Sequence, residues 1–257
     1  MATALVTGAT AGIGEAFARL LGSKGINLVI VARDQDRLNN HAAKWRQEFN
    51  IEVEVLSADL SENDGVARVE ARLHDEKNLI DILINNAGFA IKESFFTSQL
   101  SSELQMVDVM IRAPMRFMHA VLPRMKAQNS GTIINVSSVA TWLTSGTYSA
   151  SKSYLTVLSE SLHVELTGTQ VRVLALCPGF THTEFHSRAK MRMSGLPEFM
   201  WLNADQVVAA AWSDAQAGKA ISIPGLQYRV LTTFARYAPR PLVRRLGVKV
   251  RVRQRKN

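Results

Sequence analysis

Short β-forming runs alternate with helix-forming stretches along most of this chain, and that alternation narrows the possible folds more than any other feature. The runs are residues 4–9 (ALVTGA), 27–33 (NLVIVAR), 52–58 (EVEVLSA), 80–87 (IDILINNA), 131–138 (GTIINVSS), 171–177 (VRVLALC) and 220–224 (AISIP). Between the second and third, Leu38, Ala42, Trp45 and Phe49 recur at three- and four-residue intervals, the apolar stripe of an amphipathic helix. From Tyr148 to Leu166 there is no proline or glycine, and Leu155, Leu158, Leu162 and Leu166 repeat the same spacing, so one long helix is predicted there. Strands joined through helices pair in parallel, and a parallel sheet is covered on both faces. The expectation is a doubly wound parallel α/β sheet that binds its ligand beyond the carboxyl ends of the strands. At 257 residues, 47% of them apolar, the chain is long enough for one such domain with a full core.

Charge is unevenly spread. The formal net charge is +8, yet residues 228–257 contain ten Lys or Arg and no Asp or Glu, so the preceding 227 residues carry about −2. The division expected is a domain over residues 1–227, with a substrate lid at about 180–203, followed by a basic tail over 228–257. The single cysteine, Cys177, lies in an apolar run and reads as core. No basic-then-apolar leader precedes the first strand and no apolar run approaches a membrane span, so a cytoplasmic setting is expected.

Two local patterns carry chemistry. In TGATAGIG (7–14), Gly8, Gly12 and Gly14 follow a strand and open a helix, where the chain turns tightly and its amides approach a pyrophosphate. A tight turn with no ligand is the alternative. The second strand ends at Arg33, where an acidic residue would grip a ribose 2′-hydroxyl; a guanidinium there suits a 2′-phosphate, although Asp34 follows at once. Tyr148 and Lys152, four apart, share one helix face. A phenol with a pKa of ~10 ionises more readily beside an ammonium, which makes the pair a tuned general acid/base. Such a pair also occurs on ordinary solvated helices.

Taken in order, Thr7-Gly8-x-x-x-Gly12-Ile13-Gly14, Asn85-Asn86-Ala87-Gly88, Ser138, Tyr148-x-x-x-Lys152 and Pro178-Gly179 make residues 3–225 resemble the short-chain dehydrogenase/reductase family. The resemblance implies a single Rossmann-type domain, NADP(H) as cofactor, and hydride transfer between nicotinamide and a carbonyl or alcohol carbon. It implies that Tyr148 gives the proton, that Lys152 lowers the tyrosine pKa and holds the nicotinamide ribose, and that Ser138 hydrogen-bonds the substrate oxygen. Ser137, its neighbour, faces the other way. It further implies cofactor contacts from Asp59, Leu60, Asn86, Ala87, Gly88, Pro178, Gly179, Thr181 and Thr183, with Asn85 to Gly88 as the floor. Two departures stand out. Only ten positions separate Ser138 from Tyr148, which requires a trimmed loop, and Met110 occupies the family's asparagine position. A thioether donates no hydrogen bond. Because Pro114 has no N–H, the carbonyl of residue 110 loses its helical donor and is still expected to hold a relay water.

Phe185, Met191, Met193, Leu196, Phe199, Met200 and Trp201, with Trp142, Leu143, Phe95 and Phe96, suggest either a pocket for a long apolar substrate or simple packing of the lid. With the GTYSASKSYL and LCPGFTHTEFH segments they are similar to the mycolate-reductase branch, which implies a long-chain 3-oxo lipid substrate. The open alternatives are a smaller ketone, steroid or alcohol, and an NADP-binding protein with little catalysis. His182, Glu184 and His186 lack the spacing of a zinc motif, so no metal is expected. The tail's mixture of cations and apolar residues suits an anionic membrane surface, at ~1 kcal/mol per basic residue, so a peripheral position at the inner face of the cell membrane is the expectation. A solvated or oligomer-facing tail is the alternative. No nucleic-acid motif accompanies the charge. A homo-oligomer is implied by the resemblance.

Overall fold

The computed structural model describes residues 1–189 and 196–245. Its strands are β1 (Thr3–Thr7), β2 (Asn27–Ala32), β3 (Val53–Ser57), β4 (Ile82–Asn85), β5 (Gly131–Val136), β6 (Val171–Leu176) and β7 (Ile221–Ser222). They form one parallel sheet in the order β3-β2-β1-β4-β5-β6-β7. This is the doubly wound parallel arrangement expected, and each strand lies inside its sequence run apart from the one residue by which β1 starts earlier. Leu5 pairs with Val29 on one side and Leu83 on the other. After β3 the chain crosses β1 to lay down β4, and the loops leaving β1 and β4 diverge at that reversal.

Alternation along each strand divides the core in two. Ala4, Val6, Leu28 and Ile30 face a layer made by α1 (Gly12–Gly22), α2 (Gln35–Phe49) and α8 (Ala204–Gln216). Leu5, Val29 and Val31 face the opposite layer, where α3 (Asn63–Leu73), α5 (Ala113–Ala127) and α6 (Gly146–Glu165) supply Val69, Phe117, Val121 and Leu155. α4 (Leu100–Val107) runs into a π-helical turn over Asp108–Arg112 before α5, and Ala113 N–H donates to the Asp108 carbonyl. The turn contains Met110 and stops just before Pro114, whose ring nitrogen cannot continue an α-helical ladder.

Further elements are α7 (Phe185–Arg188), a 3₁₀ turn at Glu198–Met200, and α9 (Leu226–Tyr237). Tyr228 of α9 is buried with the first core layer. The division expected at residue 227 therefore cuts through a helix anchored in the domain. Met191, Met193 and residues 246–257 lie outside the described residues. Among the described residues, no helix is long and apolar enough to cross a membrane.

Candidate active site

The carboxyl ends of the strands open into a cleft of about 1340 Å³. On one side lies the turn between β1 and α1. Gly8 and Gly12 have φ of +66° and +60°, left-handed values that glycine adopts without steric cost. A Cβ on Gly8 would stand 2.8 Å from Asn86 Nδ2, and one on Gly12 would stand 3.0 Å from the Thr183 side chain, so bare backbone lines the cleft here. No side chain caps the first turn of α1, where Gly12 and Ile13 line the cleft. An anion at this point meets the amide donors and the positive end of the helix. A glycine-walled, uncapped helix start fits the pyrophosphate of a dinucleotide.

Thr7 and Gly14, expected among the cofactor contacts, lie beneath the cleft. The Thr7 hydroxyl donates to the Ile84 carbonyl and accepts from the backbone N–H groups of Asn86 (2.9 Å) and Ala87 (3.1 Å), tying the end of β1 to the end of β4. A Cβ on Gly14 would fall 2.2 Å from the Gly8 carbonyl oxygen, so its missing side chain lets the turn close on the helix. Asn85 also turns away from the expected floor: it donates to Asn135 Oδ1 at 2.8 Å inside the core, and Asn135 in turn donates to Ser159. Asn86, Ala87 and Gly88 do line the cleft, as do Leu60, Pro178, Gly179, Thr181 and Thr183.

At the far rim Arg33 is largely exposed, 3.8 Å from Asp59. Burial raises the Asp59 carboxyl, but bonds from the Ser61 N–H and hydroxyl, with the charge of Arg33, outweigh it and leave the pKa below its ordinary value. Asp34, which blurred the reading of Arg33, caps α2 by accepting from Arg37 N–H at 3.0 Å. One carboxylate oxygen is thus engaged, and Asp34 still lines the cleft. Arg37 escaped the sequence reading. It donates to the Thr10 carbonyl at 2.9 Å and pairs with Glu184 at 3.1 Å, joining the glycine turn to the start of α7. The clue was its place one helical turn beyond Arg33.

Ser138, Tyr148 and Lys152 meet at the inner end. Ser138 begins the 3₁₀ turn Val139–Trp142 and accepts from Ala140 N–H at 3.1 Å. Its hydroxyl is also close enough to Tyr148 to favour the ionised phenol. Ser137 is pinned on the opposite side, donating to the Lys152 carbonyl at 2.9 Å. Lys152 Nζ donates to the Val136 carbonyl at 2.7 Å and sits 5.8 Å from the centroid of the Tyr148 ring. Burial pushes the Tyr148 phenol up to about 12, moderated by Ser138, and pulls the Lys152 ammonium down to about 8. The sequence led us to expect a lowered phenol. In this geometry the ammonium lies over the ring, directed at a carbonyl, and desolvation of both groups dominates. Met110 is buried nearby: a methyl on Gly88 would be 3.5 Å from its sulfur and 3.7 Å from Lys152 Nζ.

The apolar wall differs from expectation. Phe185, Leu143, Leu196 and Met200 line the cleft, whereas Phe95 and Phe96 are exposed outside it. Trp142 lies under Arg236, whose guanidinium is 4.6 Å from the ring centroid, and Trp201 stacks on His182 at 4.5 Å. Leu231, Thr232, Phe234 and Ala235 of α9 complete the wall. Tyr228 fixes that helix: its hydroxyl donates to the Met200 carbonyl and accepts from Phe180 N–H at 2.9 Å. The ring lies on Gly179, where a Cβ would come within 1.9 Å of it. Among the described residues no His, Cys, Asp and Glu cluster is disposed to hold a metal. Cys177 is buried.

A model of the family described as short chain dehydrogenase matches residues 2–193. The chain belongs to the short chain dehydrogenase family. An uncharacterized oxidoreductase of Staphylococcus epidermidis is 32% identical to this short chain dehydrogenase over 204 residues, which span 76% of this chain and 87% of that relative. Among solved structures, a short-chain dehydrogenase from Sphingobium yanoikuyae in complex with NADPH superposes with a TM-score of 0.84 at 32% identity, covering 100% of this chain and 98% of that one. The bulky-bulky ketone specific alcohol dehydrogenase of Comamonas testosteroni is similar at 30% identity and a TM-score of 0.79, covering 100% and 97%. The protein is an oxidoreductase of this family.

Proposed function

We propose that this short chain dehydrogenase uses NADPH to reduce a large apolar ketone to a secondary alcohol. The observation that carries the reading is the meeting of Ser138, Tyr148 and Lys152 at the inner end of a cleft whose outer end has a bare glycine turn and Arg33. The Sphingobium relative's NADPH supports the cofactor, and the Comamonas relative's bulky ketone supports the substrate class. Bound there, the cofactor supplies the hydride for the carbonyl carbon. Gly8, Gly12 and Ile13 would hold its pyrophosphate, Asp59 and Leu60 its adenine, and Asn86 to Gly88, Pro178, Gly179, Thr181 and Thr183 its nicotinamide half.

The carbonyl oxygen accepts hydrogen bonds from Ser138 and Tyr148. Charge that develops on it is stabilised by these two hydroxyls, already oriented before the substrate arrives. Tyr148 then gives up its proton. Lys152 draws electron density from the phenol and holds the nicotinamide ribose. The buried Met110 thioether beside Lys152 slows proton resupply from solvent, and Met110→Asn raises turnover at alkaline pH; unchanged turnover and an unchanged pH profile refute this role.

Reduction needs Tyr148 protonated and Lys152 charged. With the phenol raised to about 12 and the ammonium lowered to about 8, rising pH removes the Lys152 charge first. Turnover is expected to fall as pH rises through about 8. Lys152→Arg, permanently charged, shifts that limb upward. A limb that stays in place in a Lys152→Arg enzyme removes Lys152 from the step. Arg33→Ala is expected to cut the preference for NADPH over NADH about ten- to hundredfold, since hydrogen bonds to charged groups contribute ~1.5–3 kcal/mol. Equal loss with both cofactors contradicts a contact to the 2′-phosphate.

The finer substrate reading is the 3-oxo group of a long-chain lipid, as in the mycolate-reductase branch. It rests on the apolar wall of Phe185, Leu196, Met200, Leu231 and Phe234. NADPH oxidation across 3-oxo lipids of increasing length tests it: turnover rises with length, whereas activity confined to short ketones favours the smaller-substrate alternative. We also infer a homo-oligomer, for which exposed Val157 and Val164 on α6 and Leu104 on α4 offer apolar surface.

A further inference from the structure

The face of α9 turned away from the core is apolar. Leu226, Val230, Phe234 and Tyr237, spaced by four, four and three residues, form one stripe with exposures of 74%, 62%, 51% and 85%. On the opposite side Tyr228 and Thr232 are buried, so the stripe is not a loose end of the chain; it belongs to a helix fixed to the domain. An apolar stripe of this size on a fixed helix marks an interaction surface. The exposed Phe199 adjoins it, because Gln227 donates to the Phe199 carbonyl at 3.0 Å.

Charge sets the partner. No Asp or Glu occurs after Asp214, and the segment flanking and following the stripe carries Arg229, Arg236, Arg240, Arg244 and Arg245. Among the described residues none of these five enters an ion pair. A helix with an apolar stripe flanked by unneutralised cations is the pattern that lies in the interface of an anionic bilayer. A second copy of this chain seated on the same patch would bring arginines against arginines with no acidic partner, which disfavours it. A nucleic acid would leave Leu226 and Val230 without bases to stack on.

The position of the stripe gives it a use. Phe234 is exposed in the stripe and also lines the cleft, as does Leu231 beside it. We propose that α9 docks the protein on an anionic lipid bilayer through Leu226, Val230, Phe234 and Tyr237, with the cleft mouth opening onto that surface so that an apolar substrate enters from the membrane. The entry route rests on the ketone-reductase reading, whereas the docking does not.

The test is co-sedimentation of the full chain with phosphatidylcholine vesicles, with and without phosphatidylglycerol. The wild type is compared with a Leu226→Ser, Val230→Ser, Tyr237→Ser triple variant. These three side chains are exposed and lie outside the cleft lining, and the cationic residues beyond them are untouched. Wild-type protein is expected to sediment only with the anionic vesicles and to be released by salt, and the triple variant to bind at least about tenfold more weakly. Wild-type binding by the triple variant would show that charge alone suffices and would overturn the proposal. So would equal binding to neutral vesicles, or a triple variant that is a smaller oligomer in sedimentation velocity, which would make the stripe a protein interface. Turnover of a short soluble ketone without vesicles separates the two readings. If the wild type reduces it but ignores vesicles, only docking fails; if it binds vesicles as expected but reduces no ketone, the reductase reading and the entry route fail while docking stands.

Discussion

Tyr148→Phe is expected to lower ketone turnover by about 10²–10⁴-fold, the range for removal of a general acid, while NADPH binding and thermal stability hold. The substitution deletes one oxygen and keeps the ring. That ring packs against Phe185 with centroids 5.9 Å apart and sits below the Lys152 ammonium, so neither contact depends on the hydroxyl. What disappears is the proton donor. A thousandfold loss corresponds to about 4 kcal/mol of barrier, more than one neutral hydrogen bond supplies, which is why the experiment distinguishes proton transfer from simple positioning. Steady-state NADPH oxidation gives the first quantity, and a fluorescence titration of NADPH gives the second. Turnover reduced by less than tenfold would assign the proton to another group. Loss of NADPH binding together with turnover would instead point to a damaged cleft.

Legibility in the sequence followed the range of the forces involved. The sheet was readable because alternation within a strand and spacing along a helix are local consequences of backbone geometry: Leu5 and Val29 face one layer, Ala4 and Leu28 the other. Ser138, Tyr148 and Lys152 were readable because they lie on one short stretch from the end of β5 into α6. What stayed hidden depended on contacts between distant segments. Thr7 and Gly14 belong to the glycine motif, yet only the approach of β4 reveals that they support the cleft from beneath. The raised phenol of Tyr148 is a consequence of burial, and burial is a property of the assembled fold. That Asp34 caps α2 while still lining the cleft beside Arg33 also became visible only in the fold.

The largest misreading was the placement of Tyr228 in a tail, and Tyr228→Ala is the substitution expected to expose the consequence. A run of thirty residues without an acid looks like a solvated extension. The signal against it was the spacing of Tyr228, Leu231, Thr232 and Ala235, which puts them on one helix face toward the domain. Truncating a buried aromatic to alanine costs about 3–5 kcal/mol, and leaving the Phe180 N–H without its acceptor adds to that. For a domain of this size the melting temperature should fall by on the order of 10 °C. Tyr228→Phe keeps the ring on Gly179 and loses only the hydroxyl bonds to Phe180 and Met200, so it should cost about 1–3 kcal/mol. The two variants also separate stability from site geometry. Since α9 supplies Leu231 and Phe234 to the cleft, loosening it should raise KM for a bulky ketone more than for a short one, with NADPH affinity little changed. Unchanged melting in the alanine variant would mean that α9 hangs free of the domain, and the wall of the cleft would have to be sought elsewhere.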